Sequence, residues 1–166
     1  MVTKTDFTTA EWQQVVAGMF LAGVAVSAAD PSGLWGMLKE SFASGRTLLE
    51  TKSTAADNAL VKAIVADLET SEGRSTAQTF VKQTLQGASA NELKQRAVDA
   101  VRRAADLVEQ KAPLEATAYK GWLVKIASSV AEASKEGGFL GFGGMQVSDA
   151  ERATLADLTA ALQAKV

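Results

Sequence analysis

The sequence predicts an all-α protein, a compact bundle of about seven helices. Three observations support this fold class: repeated helix-capping pairs, apolar residues spaced three and four apart, and the lack of any sustained period-two alternation. The 166 residues suit one domain with its own hydrophobic core, and no linker or shift in composition divides them. We therefore expect a single helical domain over residues 1–166.

Helix starts are marked by capping boxes, in which Ser or Thr at the cap is followed three residues later by Glu or Gln. Four pairs fit this pattern: Thr8 with Glu11, Ser75 with Gln78, Ser89 with Glu92, and Ser148 with Glu151. Thr54 with Asp57 is a variant of it, and Asp30 before Pro31 marks another start. Apolar spacing then predicts helices over 9–29, 31–44, 55–70, 76–86, 90–111, 113–136 and 149–164.

The first predicted helix has no charge from Val15 to Ala29, which is also typical of a signal peptide. Lys4 is offset by Asp6 and Glu11, and the stretch is too short and too rich in Ala and Gly to cross a bilayer. We therefore predict a buried core helix. Its small residues permit a close approach by a neighbouring helix or by a second copy in a homodimer, and they are Gly18, Ala22, Ala25 and Ala29.

Composition excludes several kinds of chemistry. The chain has no histidine and no cysteine, so Ser–His and Cys–His nucleophiles and the usual zinc sites cannot form within it. The net charge is −2, and the basic residues of the fifth predicted helix are offset by acidic residues four positions away. We expect no enzyme activity, no cofactor, no nucleic acid and no membrane contact, and the lack of cysteine favours a cytoplasmic location.

A glycine-rich apolar corner joins the last two predicted helices. It consists of Gly138, Phe139, Leu140, Gly141, Phe142, Gly143 and Gly144. The favoured interpretation is a plug, in which the glycines allow a tight reversal and the large side chains cover the end of the bundle. Two alternatives remain: a contact surface for a partner, and a phosphate site on backbone N–H groups, although the dinucleotide fingerprint would need a preceding strand.

A second segment matches this corner in residue type. Gly33–Met37, which contains Leu34 and Trp35, pairs position by position with Gly138–Phe142. An internal duplication with a pseudo-twofold axis would explain the match. Five positions are few, however, and chance is the favoured explanation.

The corner and the Val-Ser-x-x-Glu that follows it resemble small all-helical bacterial proteins of unassigned function. Val147, Ser148 and Glu151 are also similar to the helix start of TerB-like tellurite-resistance proteins. That second resemblance implies a helical bundle with internal duplication and an acidic metal site. Carried over to this sequence, the metal ligands would be Asp30, Glu136, Asp149 and Glu151.

These observations favour a non-enzymatic binding or scaffold protein, with a protein partner or a second copy of the chain as its ligand. The alternative is a protein that binds a metal ion or a small molecule through carboxylates near the corner. The residues alone identify neither the ligand nor the partner.

Overall fold

The computed structural model describes residues 2–28, 58–136 and 147–163, without the side chains of residues 90, 133–136 and 163. Within these ranges the chain forms six α-helices and one short 3-10 turn, Lys4–Asp6, and no strand. The helices are α1 (Thr9–Ser27), α2 (Ala59–Glu69), α3 (Ser71–Leu85), α4 (Ala90–Lys111), α5 (Pro113–Glu136) and α6 (Asp149–Gln163). The all-α class is confirmed. The predicted helix over 31–44 and the proposed duplication fall outside the described residues, so the count of seven stays a prediction.

α1 begins with two motifs that fix the direction in which the chain enters the helix. The backbone N–H of Thr8 donates to Glu11 Oε2 at 2.7 Å, and the backbone N–H of Glu11 donates to Thr8 Oγ1 at 3.4 Å. Phe7 and Trp12, which flank this capping box, pack with their ring centroids 5.7 Å apart as a hydrophobic staple. Two otherwise unpaired backbone donors are thereby satisfied.

α1 lies at the centre of the bundle, where α3, α4, α5 and α6 all contact it. Every residue from Val15 to Ser27 is buried, so the prediction of a core helix is confirmed. A Cβ atom at Gly18 would lie 2.4 Å from the hydroxyl oxygen of Tyr119 in α5, so this approach requires glycine. Because Gly18, Ala22 and Ala25 are buried within one chain, they are not accessible to a second copy.

The predicted start of the helix at 76–86 is wrong. α3 begins at Ser71, because Thr70 is its cap and accepts a hydrogen bond from the backbone N–H of Gly73 at 2.9 Å. Ser75 therefore lies exposed inside α3, and Ser75 with Gln78 is not a capping box. A Cβ atom at Gly73 would lie 2.1 Å from the carbonyl oxygen of Asp67, so glycine allows the tight reversal from α2 into α3.

The other described starts agree closely with the sequence. α4 covers the predicted range and opens with the Ser89–Glu92 capping box, and α5 opens at Pro113 as predicted. α2 is capped by Asn58, which accepts from the backbone N–H of Val61 at 2.8 Å, four residues later than the predicted start at 55. Thr54 and Asp57 lie outside the described residues.

Candidate functional site

The predicted corner lies wholly outside the described residues. Gly138, Phe139, Leu140, Gly141, Phe142, Gly143, Gly144, Leu34, Trp35 and Asp30 all lie outside the described residues. Glu136 is the last residue of α5, and its side chain is not described. Of the predicted site, the structure therefore describes the segment that follows the corner, from Val147 into α6.

Asp149 is the first residue of α6 and faces solvent. Its side chain is fully exposed, and its Oδ1 lies 3.2 Å from the guanidinium of Arg152 one turn later. An exposed ion pair of this kind contributes little to stability, because water screens it. Asp149 is therefore a surface residue in the described part of the chain.

Glu151 is two residues further along α6, and only 1% of its surface is exposed. Its Oε2 accepts the backbone N–H of Ser148 at 2.8 Å, and its own backbone N–H donates to Ser148 Oγ at 3.2 Å. These two bonds confirm the predicted capping box. Its other carboxylate oxygen, Oε1, is buried and has no hydrogen-bond partner in the described part of the chain.

The two described acidic candidates do not converge. Residues two apart on a helix point to different sides, so Asp149 lies in solvent while Glu151 lies in the interior. Over the ranges 2–28, 58–136 and 147–163, no three acidic side chains come close enough together to hold a metal ion. The four-carboxylate metal site stays a prediction, because Asp30 and the side chain of Glu136 are not described.

The only tyrosine of the sequence is part of the core. Tyr119 is fully buried, and its hydroxyl donates to the backbone carbonyl of Val15 at 2.7 Å. Burial raises the pKa of this hydroxyl far above its ordinary value, because the phenolate would lose its hydration. The side chain therefore stays protonated and connects α5 to α1.

The described carboxylates with clearly shifted pKa values are shifted downward. The Lys111 ammonium, 2.6 Å from Glu11 Oε2, and the hydrogen bonds from Thr8 lower the pKa of Glu11 to about 2. Hydrogen bonds from Ser89 lower the pKa of Glu92, and those from Thr3 lower the pKa of Asp6. In each case the ionised carboxylate is stabilised as a helix cap.

Several basic residues of α4 form ion pairs. Arg96 lies 3.6 Å from Glu92, four residues earlier, which is the spacing that the sequence predicts. Arg102 lies 3.3 Å from Asp99, three residues earlier. Lys94 reaches across to Asp157 in α6 at 2.8 Å. Ion pairs therefore occur on this helix, and the pair of Arg96 with Glu92 has the predicted four-residue spacing.

Sequence reasoning missed the polar cluster around Asp67 in α2. The indole Nε1 of Trp12 donates to Asp67 Oδ2 at 2.8 Å, and the ammonium of Lys4 contacts Asp67 Oδ1 at 2.8 Å. It also missed that the indole N–H of Trp122 in α5 is buried without an acceptor among the described residues. A buried indole N–H normally has a hydrogen-bond acceptor, so a buried Trp12 predicts an acceptor of this kind without identifying it as Asp67.

No family model, curated protein or solved structure matches this chain significantly. The resemblances stated from the sequence therefore stay predictions. None of the described helices combines the length and apolar character that a bilayer span requires.

Proposed function

We propose that this chain is a non-enzymatic binding or scaffold protein of the cytoplasm, with the corner from Gly138 to Gly144 as its contact surface. The observation that carries the proposal is the structural role of the described ionisable groups with shifted pKa values. The capping carboxylates of Glu11 and Glu92 have lowered pKa values, whereas a carboxyl group that acts as a general acid near neutral pH needs a raised one. Tyr119 is held in the core by its bond to Val15.

The corner suits a contact surface because it places large apolar side chains in a segment between two helices. The sequence also favours a packing role there, since burying one such side chain contributes about 1.5–3 kcal/mol. The two roles coexist if some of the side chains cover the bundle end while others face a partner. We expect the packing role to be primary and the contact role to be secondary.

Phe139→Ala and Phe142→Ala separate the two roles when stability and association are both measured. Each variant is expected to lose roughly 3–5 kcal/mol of unfolding free energy if its ring is fully buried. Self-association is measured by sedimentation velocity well below both melting transitions, so that folding does not confound it. We expect weaker association in at least one variant.

The outcomes assign the corner as follows. Weaker association with unchanged melting makes the ring a contact residue, and lower melting with unchanged association makes it a core residue. If both variants melt and associate like wild type, the corner is neither a core plug nor a surface for a second copy of the chain, and the homodimer form of the proposal is wrong.

A second candidate function is the binding of a small ligand or an ion through carboxylates beside the corner. One observation favours it: Oε1 of Glu151 is buried, lies at the start of α6 and lacks a hydrogen-bond partner in the described part of the chain. A buried polar atom without a partner calls for an explanation, and a bound ligand is one. Thermal titration of the whole chain with candidate ligands tests this function.

A further inference from the structure

The three capping boxes that open α-helices in the described part of the chain differ at one point. In the box of α1, the ammonium of Lys111 lies 2.6 Å from Glu11 Oε2. In the box of α4, the guanidinium of Arg96 lies 3.6 Å from Glu92 Oε1. In the box of α6, Oε1 of Glu151 has no partner among the described residues. Two of the three capping glutamates are therefore paired with a cation of the same chain, and the third has no such cation among the described residues.

The glutamate without a cation is also the buried one. Glu11 is partly exposed and Glu92 is largely exposed, so water solvates the carboxylate oxygens that are not paired with a cation. Only 1% of the surface of Glu151 is exposed, so water does not solvate its carboxylate in the same way. Burying a carboxylate oxygen without a partner is strongly unfavourable. The bond from the Ser148 backbone and the helix N-terminus compensate Oε2 in part, and they leave Oε1 uncompensated.

We propose that Oε1 of Glu151 pairs with the ammonium or guanidinium group of a small ligand bound at the start of α6. This inference rests on the second candidate function and names its ligand class. In this pairing the ligand supplies the positive charge that Lys111 and Arg96 supply within the chain at the other two capping boxes. Such a group needs one carboxylate as its counter-charge, and Glu151 supplies it.

The described residues at this place suit an organic cation better than a divalent metal. Calcium takes six to eight oxygen ligands, and no group of three acidic side chains occurs in the described ranges. A small ligand also reaches a buried oxygen more readily than a partner's surface does, because helix ends open at a low free-energy cost. Away from water, the pairing is little affected by salt.

The first test compares Glu151→Gln with Glu92→Gln in the absence of ligand. Glutamine is a normal third residue of a capping box, so both variants keep the cap and are expected to fold. Glu151→Gln should raise the melting temperature, because it removes an uncompensated buried charge, whereas Glu92→Gln should change it little, because the pair of Glu92 with Arg96 is exposed. If Glu151→Gln lowers the melting temperature, the carboxylate is already compensated in the free chain and the proposal is overturned.

The second test titrates the whole chain with spermidine, agmatine and arginine, and separately with Mg²⁺ and Ca²⁺ at matched ionic strength. We expect at least one amine or guanidine to raise the melting temperature of wild type with concentration. Glu151→Gln should lose this rise, and Glu92→Gln should keep it. Isothermal titration calorimetry on the same three proteins gives the corresponding affinities.

The remaining outcomes are distinguishable. A rise with Mg²⁺ or Ca²⁺ alone overturns the organic cation and leaves the second candidate function standing as a metal site. A rise that persists in Glu151→Gln places the amine elsewhere and overturns the inference. No response to any probe overturns both the inference and the second candidate function, and leaves the contact surface at the corner unaffected.

Discussion

The helices α1 and α6 both begin with a hydroxyl residue followed three residues later by glutamate, yet the two glutamates lie in opposite surroundings. Glu11 is partly exposed and bonded to Lys111, and the rings of Phe7 and Trp12 pack on each other at the same helix start. Glu151 is buried, with one oxygen on the Ser148 backbone and the other without a partner in the described part of the chain. A capping motif therefore determines the hydrogen bonds at a helix start. The tertiary fold determines whether the capping carboxylate is buried and whether a cation lies beside it.

The largest expected effect comes from removing the contacts of Trp12, which the start of α1 has in addition to its capping box. Trp12→Ala should lower the unfolding free energy by about 3–5 kcal/mol, the usual loss for a buried aromatic residue. Trp12 is 3% exposed and bonds Asp67, so both packing and a hydrogen bond are lost. Denaturant unfolding measures the change.

Trp12→Phe is the matched control, because it keeps most of the ring and removes only the indole N–H. It should lose about 0.5–1.5 kcal/mol, the net worth of one hydrogen bond, together with a smaller packing loss. A Trp12→Ala variant with the unfolding midpoint of wild type would show that α1 depends on its capping box alone.

A smaller effect tests whether the two boxes are equivalent as caps. Thr8→Ala and Ser148→Ala should each lose about 1 kcal/mol, because each removes the hydroxyl that accepts a backbone N–H. Ser75→Ala serves as the control, since Ser75 lies exposed inside α3 and caps no helix. Thermal unfolding compares the three variants. A loss at Ser75 equal to that at Ser148 would contradict the assignment of Thr70 as the cap of α3.

The acidic side of the pH profile sharpens the comparison at Glu11. Its pKa is lowered from 4.5 to about 2, so its ionised form is stabilised in the folded chain. This contribution is complete above pH 4.5 and is lost as the pH falls toward 2. The melting temperature of wild type should therefore fall more steeply over this window than that of Glu11→Gln. Parallel curves would mean that the Lys111 pair contributes nothing in solution.

The smallest expected effect is that of a metal chelator, which should not change the melting temperature. Treatment with EDTA should leave the melting temperature where it is, because the described residues contain no metal-binding cluster that could be coupled to folding. Differential scanning calorimetry before and after chelation is sufficient. A clear drop that Ca²⁺ or Mg²⁺ reverses would favour the carboxylate metal site of the TerB-like resemblance instead.

Helix starts can be predicted from the sequence where the cap bonds a residue three positions later and both residues fit the capping-box pattern. Thr8, Ser89 and Ser148 each form hydrogen bonds with the glutamate three residues later, and such short contacts can be recognised in the sequence. Thr70 was missed because Gly73 occupies the position where a capping box has Glu or Gln. Ser75 with Gln78 matches the capping-box pattern by residue type, although Ser75 lies within a helix that has already begun.

The candidate site was less predictable, because its geometry depends on contacts between distant residues. The bond between Trp12 and Asp67 joins residues 55 apart, and no local pattern selects that partner. The burial of Glu151 depends on how α6 packs against the rest of the bundle, whereas its cap depends only on Ser148. Helix periodicity shows that Asp149 and Glu151 point to different sides of α6, but it does not show which of the two side chains is buried.

The buried hydroxyl of Tyr119 gives this protein a spectroscopic reporter of its own unfolding. Because the chain has one tyrosine, all tyrosinate absorbance in alkaline solution comes from this side chain. The folded chain keeps the phenol protonated above the ordinary tyrosine pKa of 10.0, whereas the unfolded chain releases the proton there. Stability therefore declines as the pH rises past this value, and the appearance of the tyrosinate band in a stopped-flow pH jump times the separation of α5 from α1.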